Sequence, residues 1–395
     1  MKKIVFAQGI VLVLLFMAGI ACNGQGQPGK PGLKRPPLVT TQVARAVRTK
    51  SVLSQRLLHP DAALENKVNE LYNRLTPRQR AAQMIMTASS PVAGLGYPFG
   101  AAQKLVQQDI AANVVFLKGT AAGFKQEAAK LKADVGAEPV GPLFACDCEP
   151  TLLPSKWSDA GHIKPAADQQ DTATVQQETL KINALVKNTG VQLNFAPVAD
   201  AAMNKAIINK RSFGATEAQI FPLAEQFIVT SQQGGIGATI KHFPGHGAVK
   251  GDSHKQSVYI DGELTELPLF QRLITGAEPP AAVMVGHIIV QNNPKYGTDG
   301  LPATLSRKII TDLLRNELHY DGIITTDALN MAAAAKVADA DWKSVEAGAD
   351  LILMPRNAAA LNKKIVAAMA ANNGLSRQIE ASVKRILRYK IITNQ

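Results

Sequence analysis

The stretch EAQIFPLAEQFIVTSQQGGIGATIKH, residues 217–242, decides how the chain folds. Its first part, Glu217–Gln233, reads as an amphipathic helix, and its last part, Ala238–His242, is a short apolar run that stops at Lys241-His242. Helix followed by buried strand is one α/β unit, and similar units recur in both directions. Candidate strands are Gln83–Met86, Asn113–Leu117, Pro142–Asp147, Gln192–Pro197, Ala238–His242, Ala281–His287, Gly322–Asp327 and Asp350–Met354. Helical patterns such as Thr172–Asn188 and Leu305–Leu318 lie between them. Eight buried strands alternating with helices predict a parallel α/β sheet closed into a single (β/α)8 TIM-type barrel. An open doubly wound sheet is the competing arrangement, but no Gly-x-Gly-x-x-Gly follows the first strand. Residues 356–395 read as terminal helices, which leaves no room for a second α/β sandwich domain.

The ends of these strands carry the informative residues. The third stops at Asp147, the fifth at Lys241-His242, the sixth at His287 and the seventh at Asp327, while the fourth runs into Asp200 and then Arg211. In a closed parallel barrel the C-terminal strand ends converge on one mouth, where such folds carry their sites. Titratable groups at so many strand ends predict a ligand or catalytic site there.

Composition narrows the function. With 46% hydrophobic residues the chain can bury a core, and three cysteines are too few for a disulfide scaffold or a four-thiolate zinc site. The net charge of +12 raises the question of nucleic acid. Residues 23–60, however, hold seven of the cations (Lys30, Lys34, Arg35, Arg45, Arg48, Lys50 and Arg56) and no acid, while residues 61–395 are nearly neutral at +3. A basic tail on a neutral body does not support nucleic-acid binding by that body.

The N-terminal segment has its own reading. Lys2 and Lys3 precede the apolar stretch Ile4–Ala21, the pattern of a secretory signal peptide over residues 1–21. Gly19-Ile20-Ala21-Cys22 resembles a bacterial lipobox, with Gly19 where leucine is usual, and predicts a lipidated Cys22; ordinary cleavage nearby is the alternative. Residues 22–60 then read as a flexible basic Gly/Pro-rich tether, compatible with an anionic lipid surface or with simple solvation, and 61–395 as the barrel. The expectation is an exported, periplasmic or cell-envelope protein held to a membrane by its lipid.

The loop after the fifth strand reads Lys-His-Phe-Pro-Gly-His-Gly-Ala-Val-Lys-Gly-Asp-Ser-His over residues 241–254. His242 and His246 are four apart, but Phe-Pro-Gly between them prevents the helix that a paired zinc site would need, so no metal is expected. Asp252-Ser253-His254 suits another role. A carboxylate two residues before a histidine can fix its tautomer and raise its pKa, as a general acid that later acts as base requires.

This loop closely resembles the signature of glycoside hydrolase family 3, in its β-N-acetylglucosaminidase branch. Asn194–Asp200, Arg211-Ser-Phe-Gly214, Val283–His287, Thr326–Met331 and Ala347–Met354 match further family segments in order. The resemblance implies that Asp327 is a nucleophile forming a covalent glycosyl-enzyme, that His254 is the acid/base and that Asp252 orients it. It further implies a sugar clamp of Asp147, Arg211, Lys241 and His242, and no cofactor. His246 is read as shaping the loop, and His287 as lining the pocket without a chemical role.

One segment departs from the family pattern. Asp-x-Glu-Gly-Gly-Arg is usual after the third strand, where this chain has Asp147-Cys-Glu-Pro-Thr-Leu152. Cys146 and Cys148 flank Asp147 and read as small buried apolar residues, not as a bridge or a metal pair. The function implied is an exo-β-N-acetylglucosaminidase acting on peptidoglycan fragments. A β-glucosidase or other family 3 retaining glycosidase, and a catalytically silent cell-wall-sugar-binding lipoprotein, are the alternatives, with a metallohydrolase more distant.

Overall fold

Residue parity along the strands sorts the side chains into an inner and an outer layer. In the computed structural model, which describes residues 50–135, 140–205, 207–249, 251–253 and 255–394, the strands are short and almost wholly buried. The expected export segment 1–21, Cys22, most of the tether and His254 lie outside the described residues. The strands are β1 (Ile85–Ser89), β2 (Asn113–Phe116), β3 (Leu143–Cys146), β4 (Leu193–Asn194), β5 (Gly237–Phe243), β6 (Val258–Asp261), β7 (Ala282–Val285), β8 (Ile288–Gln291), β9 (Ile323–Thr326) and β10 (Ile352–Leu353). Eight of them pair in parallel in the order β10-β1-β2-β3-β4-β5-β7-β9. A parallel bridge between Thr325 and Leu351 then joins the two ends, supported by the Thr326 N–H on the Leu351 carbonyl at 3.1 Å, so the sheet closes into the expected barrel.

Inside the barrel lie Met86, Val115, Leu143, Ala145, Leu193, Phe195, Ala282, Met284, Ile323 and Leu353. The intervening residues Val114, Phe116, Phe144, Ile240, Val283, Val285 and Ile324 belong to the outer layer under the helices. Counting onward by two from the inner residues of β3 and β9 reaches Asp147 and Asp327. The period of the pleat therefore aims both carboxylates at the barrel axis.

The floor of the barrel is plugged by two helices. Leu53 and Leu57 of helix Val52–Leu58 meet Ile386 and Tyr389 of helix Gly374–Thr393 at the inner core. The Tyr389 hydroxyl donates to the Gln192 carbonyl at 2.6 Å and accepts the Gly237 N–H at 3.2 Å, tying both β4 and β5 to the C-terminal helix. Gly237 must lack a side chain, because a Cβ there would run into that hydroxyl.

Several expectations need correction. The first strand begins at Ile85, two residues later than expected, because Thr76 and Gln79 form a capping box that starts helix Pro77–Gln83. The folded body starts before residue 61, since the buried Leu53 and Leu57 draw residues 51–60 onto the barrel. A second, two-stranded parallel sheet, β6 with β8, was not foreseen; it pairs Val258–Asp261 with Ile288–Gln291 beside the barrel mouth. Helices Thr172–Asn188 and Glu217–Gln233 have the expected bounds, whereas Leu305–Leu318 splits into a short turn and the π-wound segment Lys308–Glu317.

Tyr389→Phe should leave the Gln192 carbonyl and Gly237 N–H without their common partner. The expected cost is about 1–3 kcal/mol in urea unfolding; an unchanged midpoint would contradict the bracing role.

Candidate active site

Asp147, Arg211, Lys241, His242 and Asp327, expected at one mouth, line one cavity of about 450 Å³ at the C-terminal ends of the strands. Phe195, Met284 and Leu353 reach it from the inner core, and Tyr97, Leu117 and Met331 form apolar walls. The volume lies within the ordinary range for small-ligand sites.

One wall is a cluster of charges. Glu149, fully buried, receives Arg211 in a two-pronged contact, Nε at 2.8 Å and Nη2 at 2.6 Å. Lys241, 2% exposed, places its Nζ between Asp147 and Glu149. Lys156 pairs with the other oxygen of Asp147. Burial alone would raise the Asp147 carboxyl, but Lys156, Lys241 and Arg211 outweigh it and hold that carboxyl well below the usual range. Glu149 is lowered for the same reason, chiefly by Arg211 and then by Lys241 against the cost of burial. Three cations against two anions leave this wall positive, opposite the half-buried Asp327.

Glu149 and Lys156 were not singled out from the sequence. Glu149 has a local signal, a second carboxylate two residues beyond Asp147. Lys156 has none, because the turn Leu153–Lys156 that returns it to Asp147 is visible only in three dimensions.

The cysteines on either side of Asp147 are joined as a disulfide, contrary to expectation. The extended path ends at Cys146, and the chain then turns, which brings the two Cα atoms to 5.4 Å, within reach of a bridge. The Asn194 side chain fixes the same turn: its Oδ1 accepts the Cys148 N–H at 3.0 Å, and its Nδ2 donates to the Cys148 carbonyl at 3.2 Å.

The adjoining part of the mouth, from β4 and β5, is organised by Asp200. It accepts the His242 ring Nδ1–H at 2.6 Å, the His242 backbone N–H at 3.0 Å and the His246 N–H at 2.7 Å. Asp200 thereby fixes the His242 tautomer and leaves Nε2 as its other ring nitrogen. The Lys241–His242 peptide is cis, and both side chains line the cavity. His246 shapes the loop, as expected: its Nδ1 meets the Asn204 amide at 3.3 Å and its Nε2 meets Ser253 Oγ at 3.0 Å. His287 braces the chain behind Asp327, donating from Nε2 to the Ala328 carbonyl at 2.9 Å.

Asp252 is not among the cavity-lining residues; its carboxylate stands 3.7 Å from Lys255 Nζ. Its pairing with His254 rests on a residue outside the described ones.

Residues 145–389 match the glycosyl hydrolase family 3 N-terminal domain. The chain belongs to glycoside hydrolase family 3. Among curated relatives, a protein named beta-hexosaminidase A from Pseudoalteromonas piscicida is 31% identical over 230 residues, covering 52% of this chain and 38% of its own. A beta-hexosaminidase from Actinobacillus pleuropneumoniae is 32% identical over 212 residues, covering 52% and 59%. The chain thus spans about half the length of the curated relatives it matches. A family 3 β-N-acetylglucosaminidase structure from Paenibacillus sp. superimposes with a TM-score of 0.71 at 28% identity, covering 81% of this chain and 63% of that one. The family match begins at Ala145, within β3, and so includes the whole charged wall and Asp327.

Two buried groups of this family 3 site should oppose each other in pH dependence. Burial and then the His242 ring push His246 down to about 4, while burial and the Asp200 charge push Glu266 up to about 7. From pH 6.5 down to 4 the unfolded chain takes up a proton at His246 that the folded chain refuses, so this group makes stability rise with pH. From pH 4.5 to 7 the folded chain keeps a proton at Glu266 that the unfolded chain has lost, so this group makes stability fall with pH. In urea unfolding at stepped pH, Glu266→Gln should therefore steepen the rise between pH 4 and 6.5, and His246→Asn should produce a decline between 4.5 and 7. Parallel profiles for both variants and wild type would contradict these assignments.

Proposed function

We propose that the protein is a retaining exo-β-N-acetylglucosaminidase that removes terminal non-reducing β-linked GlcNAc from peptidoglycan fragments. The observation that carries this reading is Asp327 at the end of an inner-facing strand, across one cavity from a positive, hydrogen-bond-rich wall. Such a wall suits the hydroxyls of one sugar ring, and in this reading Asp327 meets the carbon that the ring presents to it.

In this reading an Asp327 oxygen forms a bond to the anomeric carbon as the bond to the leaving oxygen breaks. His254 gives its proton to that oxygen, with Asp252 holding the imidazole. Water then attacks the same carbon, His254 takes a proton from it, and the ester to Asp327 breaks, so the β configuration is retained. Arg211 and Lys241 donate to hydroxyls of the bound ring, His242 accepts from one at Nε2 because its Nδ1–H is given to Asp200, and Asp147, held by two lysines, accepts through its remaining lone pairs. The protein is further proposed to be exported and anchored to a membrane through a lipid on Cys22.

A β-glucosidase is the second reading, left open by the changed loop after Asp147, where Lys156 pairs with the carboxylate read as part of the sugar clamp. Soluble protein lacking residues 1–22 should hydrolyse a chromogenic β-GlcNAc substrate and not its β-glucose counterpart. Asp327→Ala should abolish turnover, and His254→Ala should lower kcat by roughly 10²–10⁴-fold on a poor leaving group. Turnover of the glucoside alone would establish the second reading, and a folded wild type inert on both would favour a sugar-binding protein without catalysis. Lys156→Met should raise KM about tenfold with little change in kcat, the loss of one charged hydrogen bond; a kcat effect alone would remove Lys156 from the clamp.

A further inference from the structure

Glu266 belongs to none of the motifs read from the sequence and does not line the cavity, yet it is 7% exposed and sits beneath the loop that follows β5. One of its oxygens accepts the N–H of Ala201 at 2.7 Å, the residue after Asp200. The other accepts the N–H of Ala248 at 2.9 Å, two residues after His246. A single carboxylate thus bridges the segment that presents Asp200 to the loop that presents His246.

The glycines of Phe-Pro-Gly-His-Gly make room for it. A Cβ on Gly245 would come within 2.6 Å of the Glu266 Cβ, and one on Gly247 within 2.7 Å of its Oε2 and against the Ala201 backbone. Gly245 also has φ of +130°, a conformation that side chains other than glycine avoid. Both glycines therefore border the carboxylate, one on each side of His246.

From His246 the connection continues. The Asn204 amide donates to Nδ1, and the same amide also reaches the Gly251 carbonyl at 2.9 Å, so a neutral His246 carries its proton on Nε2 and donates it to Ser253 Oγ. Ser253 is buried, and it directly precedes His254 in the chain.

We propose that Glu266 is the positioning residue for acid/base catalysis: through Ala248, His246 and Ser253 it sets the loop that carries His254. The inference rests on the reading of His254 as the acid/base. It assigns Glu266 to proton transfer at the leaving oxygen and to activation of water, not to sugar binding, because no atom of Glu266 reaches the cavity.

The test compares two β-GlcNAc substrates, a dinitrophenyl glycoside whose leaving group departs unprotonated and chitobiose, whose leaving sugar must be protonated. Glu266→Ala should lower kcat/KM on chitobiose by about 10²-fold and on the activated glycoside by less than about tenfold, while kcat on the activated glycoside, limited by attack of water on the glycosyl ester, falls as well. Added azide should speed turnover of the activated glycoside by the variant, attacking the glycosyl ester and releasing the Asp327 carboxylate as a glycosyl azide forms. Glu266→Gln keeps one acceptor oxygen in an isosteric side chain, so it should fold and show the same pattern at smaller amplitude. Equal losses of kcat/KM on both substrates, a rise in KM alone, or wild-type kinetics in both variants would overturn the proposal. His254→Ala in an otherwise native chain separates it from its parent reading. If that variant shows no leaving-group dependence, the acid/base assignment itself falls, and the role of Glu266 with it.

Discussion

Burial of Lys241 at the end of β5 is the constraint around which the mouth of the barrel is built. An ammonium group 2% exposed loses most of its hydration, at a cost of several kcal/mol unless charges of opposite sign meet it. Asp147 and Glu149 both do so, and Glu149 is itself buried, so it requires Arg211 in turn. Arg211 comes from the segment after β4, Lys241 from β5 and the two acids from the end of β3. The ion network thus fixes the relative positions of three loops, and each charge is tolerable only because the others are present. A site so assembled presents donors whose orientation is set before any ligand arrives.

The departure from the family pattern after β3 can be understood within that network. The family segment uses two glycines and an arginine where this chain has Pro150-Thr151-Leu152. Flexibility is replaced by ties. The Glu149 carbonyl accepts the N–H groups of Leu152 and Leu153 at 3.2 and 2.9 Å, starting the turn that ends at Lys156. The Thr151 hydroxyl donates to the Lys210 carbonyl at 2.7 Å, fastening the turn beside Arg211. The disulfide and the Asn194 amide hold the other side. Lys156 thereby supplies a cation to Asp147 by a different path through the chain.

Much of this was legible in the sequence, for definable reasons. Strand ends at Asp147, His242 and Asp327 could be read because apolar runs stop abruptly at a titratable residue. Helices Thr172–Asn188 and Glu217–Gln233 could be read because their apolar residues recur at helical spacing, and the structure starts them after Asp171 and Thr216. The first strand was misplaced because Gln83 and Met84 are buried like strand residues while finishing a helix. The bridge between Cys146 and Cys148 was hidden because it depends on where the extended path ends, one residue before Asp147. β6 and β8 were hidden because four-residue runs between longer elements carry too little pattern to separate strand from loop.

Glu266 was hidden for a deeper reason: its partners are backbone N–H groups, which have no sequence identity. Its trace is negative, in the two glycines that flank His246. Read alone, Gly-His-Gly signals only a pliable loop. Set against the structure, both glycines are places where a side chain would displace a buried carboxylate. A second carboxylate, Asp200, grips the same loop from the β4 side through the N–H groups of His242 and His246. Burial, and then the Asp200 charge beside it, push the Glu266 carboxyl up to about 7, while the electrostatic attraction of His242 and then its hydrogen bond, with His246 behind them, hold Asp200 below the usual carboxylate range against its own burial. The loop is therefore held by one charged clamp and one that is neutral below neutrality. This division lets a glycine-rich segment keep a fixed path without a regular element of its own.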